Sequence, residues 1–535
     1  MRKFLYLLFA LLLGTTSASQ AQVMSDSYLS TAIQQVQQAV MVTSCYYVDS
    51  LSAKKLAEDA IRAMLKELDP HSAFLNEEET KALNEDLGGN FDGIGVQFQM
   101  VKDTLLVIST IVGGPSEKAG ILANDQIVWV NDTTIAGVKM SNKDIQKRLR
   151  GPKGTKVKVT ILREGEKIDF MLTRDKIPVN SVDATFMVSP EVGYVKVSRF
   201  GATTPKELTE AMQTLEKQGM KHIILDLQGN GGGYLQSAVE MASLFLNRGD
   251  LVVYTEGRAV PRQNSYVQHP GNFKGRVVVL IDEESASASE ILSGAMQDLD
   301  RGVIVGRRSF GKGCVQRPFE LAGNTMIKLT LANYYTPSGR CIQKPYEKGN
   351  SEDYRKDLQD RYKHGEMQNA DSIHFNDSLK YETRNGRTVY GGGGIMPDVF
   401  VPLDTLTKLS KTHRDLIAKG TWNSYIIEYF RKNLKKLNKE YPTFEKFNAG
   451  FEVSDQMIYD LCKRGATNDS VKIDTTEVER SMDLMKLQMK ANIANDLFKE
   501  GAYNKIMNYK IPAFLKAIEV ISDEKTYRKL LEGKK

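Results

Sequence analysis

Two residues in the middle of the chain are suited to covalent chemistry, a serine and a lysine. Ser287 stands in the run SASASE, after an apolar stretch at residues 277–281 that predicts a buried strand. Glu290, three residues later, completes the pattern of a helix capping box. Lys312 follows a second apolar stretch, residues 303–305, and stands between two glycines. We therefore weigh a serine nucleophile with a lysine base against the plainer role of Ser287 as a helix cap.

The identity of the base is the open part of this hypothesis. Histidine is the usual partner of a catalytic serine, but there is no GxSxG elbow and the six histidines stand in no catalytic pattern. His71 is in a distinctive phrase, Leu-Asp-Pro-His-Ser, where a turn-stabilising role is expected. A lysine accepts the serine proton only in its neutral form, so its surroundings must disfavour the charge. The position of Lys312 suits that requirement, although most lysines are solvated surface charges.

Two glycine-rich loops resemble nucleotide-binding sites, and their spacing argues against both. Residues 229–233 read GNGGG after a predicted strand, but the third glycine of a dinucleotide fingerprint would fall on Tyr234. That loop fits a turn with exposed amides, able to bind an anion or a developing oxyanion, or a purely structural turn. Residues 306–313 depart from a phosphate-binding loop at Gly313, where serine or threonine is required, and a strand is predicted to follow. A P-loop ATPase is therefore a distant alternative.

The remaining chain divides into segments that differ in composition and in the spacing of their apolar residues. Residues 1–21 have the charge, the short apolar core and the small residues of a secretory signal peptide, and this core is too short to span a membrane. We predict a helical domain at 22–87, a small β module at 88–176, an α/β core at 177–403 and a helical region at 404–535. Within the core, residues 345–387 are polar and predict a mobile surface insertion. The fold class is therefore α/β, in a multidomain α+β chain.

Charge and cysteine content restrict the partners and cofactors. The formal net charge is 72 − 66 = +6, and loss of Arg2 and Lys3 with the signal peptide lowers it to 70 − 66 = +4. This mild basicity does not predict a nucleic-acid partner. The four cysteines are widely spaced and form no metal-binding pattern. Export would permit a disulfide, with Cys314 and Cys341 the nearest pair, but spacing does not assign one.

A glycine-flanked turn, residues 91–95, leads into the first strand of the β module. The combination resembles a PDZ domain, in which an open sheet edge accepts a peptide as an added strand and loop amides hold the terminal carboxylate. The loop residues that match are Gly93, Ile94, Gly95 and Val96. The alternative on this stretch alone is a generic small β module with glycine turns.

Seven phrases resemble, in the same order, the C-terminal processing peptidases, also called tail-specific proteases. They are LDPHSAFL (68–75), FDGIGV (91–96), SASASE (285–290), QD (297–298), SFGKGCVQ (309–316), YYTPSG (334–339) and GGGIMPD (392–398). The resemblance implies a serine endopeptidase with a crotonase-like α/β core, an inserted PDZ domain and no metal or cofactor. It also implies peptide or protein substrates with apolar C-termini. Together with the predicted signal peptide, it leads us to expect an exported, periplasmic enzyme without a stable membrane span once the signal peptide is removed.

The resemblance also assigns roles to residues of this chain. It makes Ser287 the nucleophile, Lys312 the general base and Gln316 the residue that orients the lysine. Backbone amides of Ala288 and of the turn around Gly232 are the expected oxyanion hole. In that turn the family often has Arg-x-Asn-Pro-Gly-Gly, whereas residues 228–233 here read QGNGGG, which should loosen the turn without removing its amides.

A rival interpretation from another class is a catalytically silent PDZ scaffold that only binds peptide tails. The complete set of Ser287, Lys312 and Gln316 argues against it. The helices predicted in residues 404–535 have three open roles, which are homo-oligomerisation, binding of an adaptor, and bracing of the core.

Overall fold

The computed structural model describes residues 27–101, 103–404, 409–499 and 501–533. The predicted signal peptide, residues 1–21, lies outside these residues. The chain forms two compact units. The first comprises Met1–Thr80, Gln316–Thr330 and Tyr346–Tyr354, and the second comprises Lys81–Val315, Leu331–Pro345 and Arg355–Lys535. None of the described helices is long and apolar enough to cross a membrane.

The first unit begins with the two helices that the apolar spacing predicts. Ser52 caps the second of them by accepting a hydrogen bond from the N–H of Lys55 at 3.3 Å, and this helix ends shortly before Pro70. A short strand then pairs antiparallel with residues 326–328, with Ala73 opposite Lys328. These elements are α1 (Ser27–Tyr46), α2 (Ala53–Lys66) and β1 (Ala73–Leu75).

The β module predicted around residues 88–176 is an antiparallel sheet with two short helices. Its strand order is β3-β4-β5-β7-β8, with β6 paired to β5, so β3 is an edge strand of this sheet. Alternate strand residues such as Leu105, Val107 and Ile161 are fully buried and form its core. The elements here are α3 (Glu77–Gly88), β2 (Asn90–Gly93), β3 (Val96–Val101), β4 (Thr104–Thr110), α4 (Pro115–Ala119), β5 (Gln126–Val130), β6 (Thr133–Thr134), α5 (Asn142–Leu149), β7 (Lys156–Arg163), β8 (Glu166–Thr173) and β9 (Asp175–Pro178).

The alternation of strands and helices predicted after residue 177 is confirmed. Its first part contains β10 (Val182–Met187), β11 (Val192–Val197), α6 (Thr204–Lys217), β12 (His222–Asp226), α7 (Leu235–Ser243), β13 (Leu251–Glu256), β14 (Gln263–Tyr266), β15 (Val277–Ile281), α8 (Ala288–Asp298) and β16 (Val303–Gly306). Its second part contains β17 (Cys314–Leu321), β18 (Thr325–Tyr335), α9 (Ser351–Lys363), β19 (Lys380–Glu382), β20 (Thr388–Tyr390) and β21 (Val399–Phe400), with 3-10 turns at Ala370–Ser372 and Asp377–Leu379. A strand follows the Lys312 loop, as predicted, where a phosphate-binding loop would open a helix.

The polar insertion expected at residues 345–387 contains regular structure. It holds α9, two 3-10 turns and β19, which pairs with β20 immediately after the insertion. Arg361 of α9 is only 4% exposed and donates to the backbone carbonyls of Arg308 at 2.6 Å and Ser309 at 3.1 Å. Composition does not reveal this contact, because a buried arginine that donates to backbone carbonyls has the same sequence appearance as a solvated one.

The C-terminal region contains α10 (Lys411–Ala418), α11 (Thr421–Glu440), α12 (Phe444–Gly450), α13 (Asp455–Asn468), α14 (Thr475–Phe498), α15 (Ala502–Met507), α16 (Pro512–Ser522) and α17 (Glu524–Leu531). Helices α10 to α15 enclose an apolar core of their own, which includes Trp422, Phe447 and Met485. A cavity of about 600 Å³ separates α11 from strands β4 and β5 of the antiparallel sheet. It is lined by Thr104, Leu106, Gln126, Ser424, Ile427, Glu428, Arg431 and Lys432.

The α/β core is one six-stranded sheet covered on both faces. Its strand order is β10-β11-β12-β15-β16-β21, and every neighbouring pair is parallel except β10 with β11. Helices α6, α7 and α8 pack on one face. The final helices, α16 and α17, cover the other, where the hydroxyl of Tyr527 accepts a hydrogen bond from the N–H of Val277 at 3.1 Å. The mixed α/β fold class predicted from the sequence is therefore confirmed, and the end of the chain completes the layer around the sheet.

Candidate active site

Three loops meet at the carboxyl ends of adjacent parallel strands. Residues 229–233 follow β12, residues 282–287 follow β15 and residues 307–313 follow β16. Backbone hydrogen bonds join them, from the N–H of Ala286 to the carbonyl of Asn230 and from the N–H of Phe310 to the carbonyl of Ser285, each at 3.0 Å. This edge of an open α/β sheet is where ligands bind, because strand ends and helix N-termini converge there.

Ser287 occupies a strained turn immediately before α8. Its φ of 56° and ψ of −113° lie outside the regions that residues with a Cβ prefer. Such backbone costs about 1–3 kcal/mol and persists only where the surroundings enforce it. Ser287 is half-buried, between the buried residues Ala286 and Ala288. The turn therefore presents a serine at the N-terminus of a helix whose described residues are all buried.

Glu290 joins the serine turn to the lysine loop. It is fully buried, and its Oε2 accepts the backbone N–H groups of Ser287 at 2.8 Å and Lys312 at 2.9 Å. Its Oε1 accepts the N–H of Gly311 at 2.7 Å and the hydroxyl of Ser309 at 2.5 Å. The bond from the N–H of Ser287 confirms the glutamate half of the predicted capping box. The bonds from Ser309, Gly311 and Lys312 give the same carboxyl group a second function, which is to hold the lysine loop.

The charge state of Glu290 follows from its partners. Burial raises the pKa of this carboxyl above its ordinary value, while the hydrogen bonds from Ser309, Gly311, Lys312 and Ser287 act to lower that pKa. The hydroxyl of Ser309 accepts the N–H of Ile395 at 2.7 Å, so its own hydrogen is available for Glu290. Because every one of these partners donates, the network fits the carboxylate and not the protonated acid.

Tyr334 makes a second link between the same two segments. Its hydroxyl lies 2.6 Å from the carbonyl oxygen of Lys312 and 3.1 Å from that of Ser287, and the side chain is 1% exposed. The N–H of Tyr334 also donates to the carbonyl of Gly313 at 2.8 Å. The backbones that carry the predicted nucleophile and base are therefore held by two common side chains, Glu290 and Tyr334.

The glycine turn packs directly against the serine. Gly232 has a φ of +99°, and a Cβ built on it would lie 2.8 Å from the Cβ of Ser287 and 2.9 Å from the nitrogen of Ala288. A side chain is therefore excluded at this position. The side chain of Asn230 stabilises the turn. Its Nδ2 donates to the carbonyl of Val197 at 2.8 Å, and its Oδ1 accepts the N–H of Gly232 at 2.9 Å. The amide hydrogen of Gly232 is thus bonded within the turn in this structure.

Gln316 is placed in the first unit, on β17. Its Nε2 donates to the backbone carbonyl of His71, a residue that the sequence analysis assigned only to a turn. The His71 ring contacts Tyr354, with its Nε2 and the tyrosine hydroxyl 2.8 Å apart. Ser287, Lys312, Ala288 and Gly232 belong to the second unit.

The loop predicted to hold a peptide carboxylate runs from the end of β2 into β3. Gly93, Ile94 and Gly95 are buried, Gly95 has a φ of +74°, and Val96 begins the edge strand. The carbonyls of Ile94 and Gly95 accept the N–H groups of residues 116 and 111 at 3.0 and 2.9 Å. These bonds fix the loop conformation from inside the domain.

Sequence reasoning missed three supporting residues of this site. The sequence marks Asn230 only as part of a glycine-rich turn and Glu290 only as a helix cap. It marks Tyr334 only as part of the phrase YYTPSG. Each of them has at least one partner on a distant loop or strand, and no local pattern reveals those long-range contacts. All four cysteines are free thiols, and the described residues contain no cluster of His, Cys, Asp or Glu arranged to hold a metal ion.

Comparison with protein families finds three matching segments. Residues 191–354 match peptidase family S41, residues 93–173 match the PDZ domain, and residues 412–499 match a family of unknown function, DUF8443. Among solved structures, the chain resembles a photosystem II D1 C-terminal processing protease, with 27% identity, a TM-score of 0.35, and coverage of 69% of this chain and 93% of that one. It also resembles the PDZ domain of a carboxy-terminal protease from Vibrio cholerae in complex with peptide, with 31% identity, a TM-score of 0.16, and coverage of 17% and 99%.

Curated relatives are closer in sequence. The chain is 34% identical over 365 residues to the carboxy-terminal processing protease CtpA of Bacillus subtilis (strain 168), which covers 66% of this chain and 76% of that protein. It is 38% identical over 301 residues to a probable CtpA-like serine protease of Staphylococcus epidermidis, covering 55% of this chain and 60% of that protein. The chain therefore belongs to peptidase family S41, among the carboxy-terminal processing serine proteases.

Proposed function

We propose that this protein is an exported endopeptidase that cleaves substrates with apolar C-terminal tails, using Ser287 as nucleophile and Lys312 as general base. The observation that carries the proposal is the bond of both residues to Glu290, whose Oε2 accepts the N–H of Ser287 and that of Lys312. A carboxylate shared in this way fixes the spacing of the two backbones. The strained φ of 56° at Ser287 supports the same assignment, because such strain concentrates at catalytic positions.

In the proposed reaction the neutral amine of Lys312 takes the hydroxyl proton of Ser287 as its oxygen attacks the peptide carbonyl. The tetrahedral intermediate collapses when Lys312 returns the proton to the leaving amine, which leaves an acyl-enzyme on Ser287. Water then attacks the ester, again with Lys312 as base, and restores the serine hydroxyl. The proposed task of Gln316, four residues after the lysine, is to orient its amine.

The oxyanion of the intermediate needs preorganised donors. We assign one to the N–H of Ala288, at the first position of α8, where the helix N-terminus favours negative charge. Gly232 is the proposed second donor, and its N–H now bonds Oδ1 of Asn230. To act as a donor, this N–H must therefore release Oδ1 of Asn230 and bind the oxyanion when substrate binds.

Tail recognition is assigned to the PDZ domain. The edge strand β3 has an open side for an added peptide strand, and the loop of Gly93, Ile94, Gly95 and Val96 precedes it. An apolar tail matches the half-buried side chains of Phe98 and Met100 on β3, which pack against the PDZ core.

The export and domain organisation are also proposals. Residues 1–21 are the proposed signal peptide for a periplasmic location, followed by domains at 22–87, 88–176, 177–403 and 404–535. For the last segment the contacts of α16 and α17 with the sheet favour bracing of the core over the adaptor and oligomer roles. Deletion of residues 1–21 followed by cell fractionation tests the location, since the shortened chain should stay in the cytoplasm.

The decisive experiment incubates the mature chain with an unfolded protein that ends in apolar residues, beside Ser287→Ala and Lys312→Ala variants. We expect cleavage by the natural chain and a loss of about 10³-fold or more in each variant, with circular dichroism unchanged. Equal cleavage by all three proteins would refute the dyad. Cleavage by none of them, with the fold intact, would instead support a silent peptide-binding scaffold.

A further inference from the structure

The lysine loop, residues 307–313, receives two hydrogen bonds from the end of helix α9. Arg361 donates from Nη2 to the carbonyl of Arg308 at 2.6 Å and from Nη1 to the carbonyl of Ser309 at 3.1 Å. These three residues all belong to the second unit. Arg361 is buried, so water competes little for its donors. Two successive carbonyls shortly before the proposed base are therefore held by one guanidinium group.

Ser309 is the residue at which other segments of the core bind the lysine loop. It is fully buried, and its N–H donates to the carbonyl of Ile395 at 3.0 Å. Its hydroxyl donates to Oε1 of Glu290, and its carbonyl accepts Nη1 of Arg361. The N–H, the hydroxyl and the carbonyl thus have partners in three different parts of the chain. Removal of any one partner would leave a buried polar group without that hydrogen bond.

Glu290 and Arg361 bind complementary groups of the loop backbone. The carboxylate accepts the N–H groups of Gly311 and Lys312, whereas the guanidinium donates to carbonyls. The N–H and the C=O of a peptide unit lie in one plane. Partners of both kinds along one loop therefore restrict the rotation of its peptide units more than Glu290 does alone.

The two carbonyls also define how the chain leaves β16. That strand ends at Gly306, which has a φ of +131°. In an extended strand successive residues point to opposite sides, so the carbonyls of Arg308 and Ser309 reach one guanidinium only where the chain bends. A guanidinium presents its donors in a rigid planar fork, which suits this task better than the point charge of a lysine. Arg361 is therefore specific for the bend.

Glu366 provides Arg361 with a counter-ion. Its Oε2 lies 3.6 Å from Nε of Arg361 and also pairs with Nη2 of Arg308. Burial, with a smaller effect of Arg308, lowers the pKa of Arg361 to about 10 from 12.5. The guanidinium consequently remains charged at neutral pH and keeps the donors that the two carbonyls require.

We propose that Arg361 is a positioning residue for the reaction, which holds the lysine loop in the conformation that directs Lys312 to Ser287. This inference rests on the proposed role of Lys312 as the base. It gives a residue of the polar insertion, which composition assigns to the surface, a part in catalysis. Arg361 donates to the loop backbone and acts on the reaction only through Lys312.

Arg361→Ala and a matched control, Arg355→Ala, test the proposal with the unfolded protein substrate. Arg355 lies on the same helix and is exposed. We expect kcat to fall about 100-fold in Arg361→Ala with KM unchanged, and natural kinetics in the control. Guanidinium chloride at about 20 mM, far below the molar concentrations that unfold proteins, should restore part of the lost kcat. Sodium chloride at the same concentration should not.

A double-mutant comparison separates positioning of Lys312 from a general loss of structure. The rate at which a fluorophosphonate labels Ser287 reports the activated serine independently of substrate. Arg361→Ala should slow this labelling about 100-fold in the natural chain. It should cause no further loss in a Lys312→Ala background, because both changes act through the same amine. Circular dichroism should be unchanged in all of these proteins.

Arg361→Lys decides the question if the alanine variant does not fold. Lysine keeps a positive charge beside Glu366 but cannot reproduce the planar fork that binds two carbonyls. We expect kcat and the labelling rate to fall about tenfold, with KM unchanged. Kinetics and labelling equal to those of Arg355→Ala would overturn the proposal.

The failure of this inference is distinguishable from the failure of the dyad. Natural activity in Lys312→Ala would refute the dyad and, with it, this inference. An inactive Lys312→Ala beside an Arg361→Ala variant that matches Arg355→Ala would leave the dyad intact and overturn the inference. Equal losses from Arg361→Ala in both backgrounds, without recovery in guanidinium, would also overturn it, because Arg361 would then contribute stability alone.

Discussion

Ser287 and Lys312 donate their backbone N–H groups to the same oxygen atom, Oε2 of Glu290, at 2.8 and 2.9 Å. The first bond spans three residues along the chain and the second spans 22. A single buried carboxylate therefore ties a local helix cap to a distant loop. The geometry of the proposed dyad depends on a residue that has no part in the proton transfers.

Replacement of this carboxylate should weaken both the fold and the reaction. In Glu290→Gln one oxygen becomes an NH₂ group that faces two donors, which should lower the free energy of unfolding by about 2–6 kcal/mol. Movement of either loop by about 1 Å should reduce kcat roughly 100-fold. The measurements are urea unfolding by circular dichroism and steady-state kinetics. The control is Glu284→Gln, an exposed glutamate of the same turn, and wild-type stability and kcat in Glu290→Gln would contradict this account.

A methyl group at Gly232 should disturb the serine turn. Gly232→Ala places a Cβ 2.6 Å from the carbonyl oxygen of Ala286 and 2.8 Å from the Cβ of Ser287, at a φ of +99°. We expect a stability loss of about 1–3 kcal/mol and a fall in kcat of at least tenfold. Gly231→Ala is the matched control, because no atom of the described part of the chain lies within 4 Å of the added Cβ. Equal kinetics in the two variants would show that the turn does not pack on the serine as described.

The C-terminal helical core should lose stability in mild acid because of one histidine. His413 is fully buried against the ring of Trp422, and burial lowers its pKa to about 4 from 6.5. Neither of its ring nitrogens has a hydrogen-bond partner among the residues that the structure describes. The unfolded chain therefore binds a proton first as pH falls below about 6.5, and the folded state loses up to roughly 3 kcal/mol by pH 4.

Trp422 provides the measurement for this histidine. In a Trp129→Phe background, Trp422 is the remaining tryptophan of the chain, so its fluorescence during urea unfolding reports the helical core. The midpoint should decrease from pH 7.5 to pH 5, and His413→Phe should reduce that decrease. His364→Gln, at an exposed position, should not. An undiminished pH dependence in His413→Phe would assign the effect to other groups.

Changes at the C-terminus of the substrate should alter its binding to the enzyme and leave the rate of the chemical step unchanged. For one substrate with an apolar C-terminus, amidation of the terminal carboxylate removes charge-assisted hydrogen bonds worth about 1.5–3 kcal/mol, so KM should rise roughly 10- to 100-fold. The value of kcat should not change, because the scissile bond is the same. Substitution of the last residue by aspartate is a second comparison, expected to raise KM by loss of apolar contact. Equal KM values for all three substrates would exclude tail capture by the PDZ loop.

Local sequence was sufficient for the elements around the site. The apolar run at residues 277–281 is a strand, the segment after Ser287 is a helix, and a strand rather than a helix follows Lys312. Strand and helix periodicities are properties of neighbouring residues, so a single chain reveals them. The family resemblance was also visible in short phrases, because it depends on residue identity and order alone.

Tertiary structure decided what holds those elements together. The contact between Gln316 and His71 joins residues 245 positions apart, and that between Tyr527 and Val277 joins residues 250 positions apart. Glu290 has the same sequence signature whether it only caps α8 or also accepts the N–H of Lys312. Sequence determined which residues are suited to chemistry here, since reactivity is a property of the side chain. Only the fold decided which oxygen each donor reaches, since hydrogen bonds depend on distance and direction between segments that no local pattern relates.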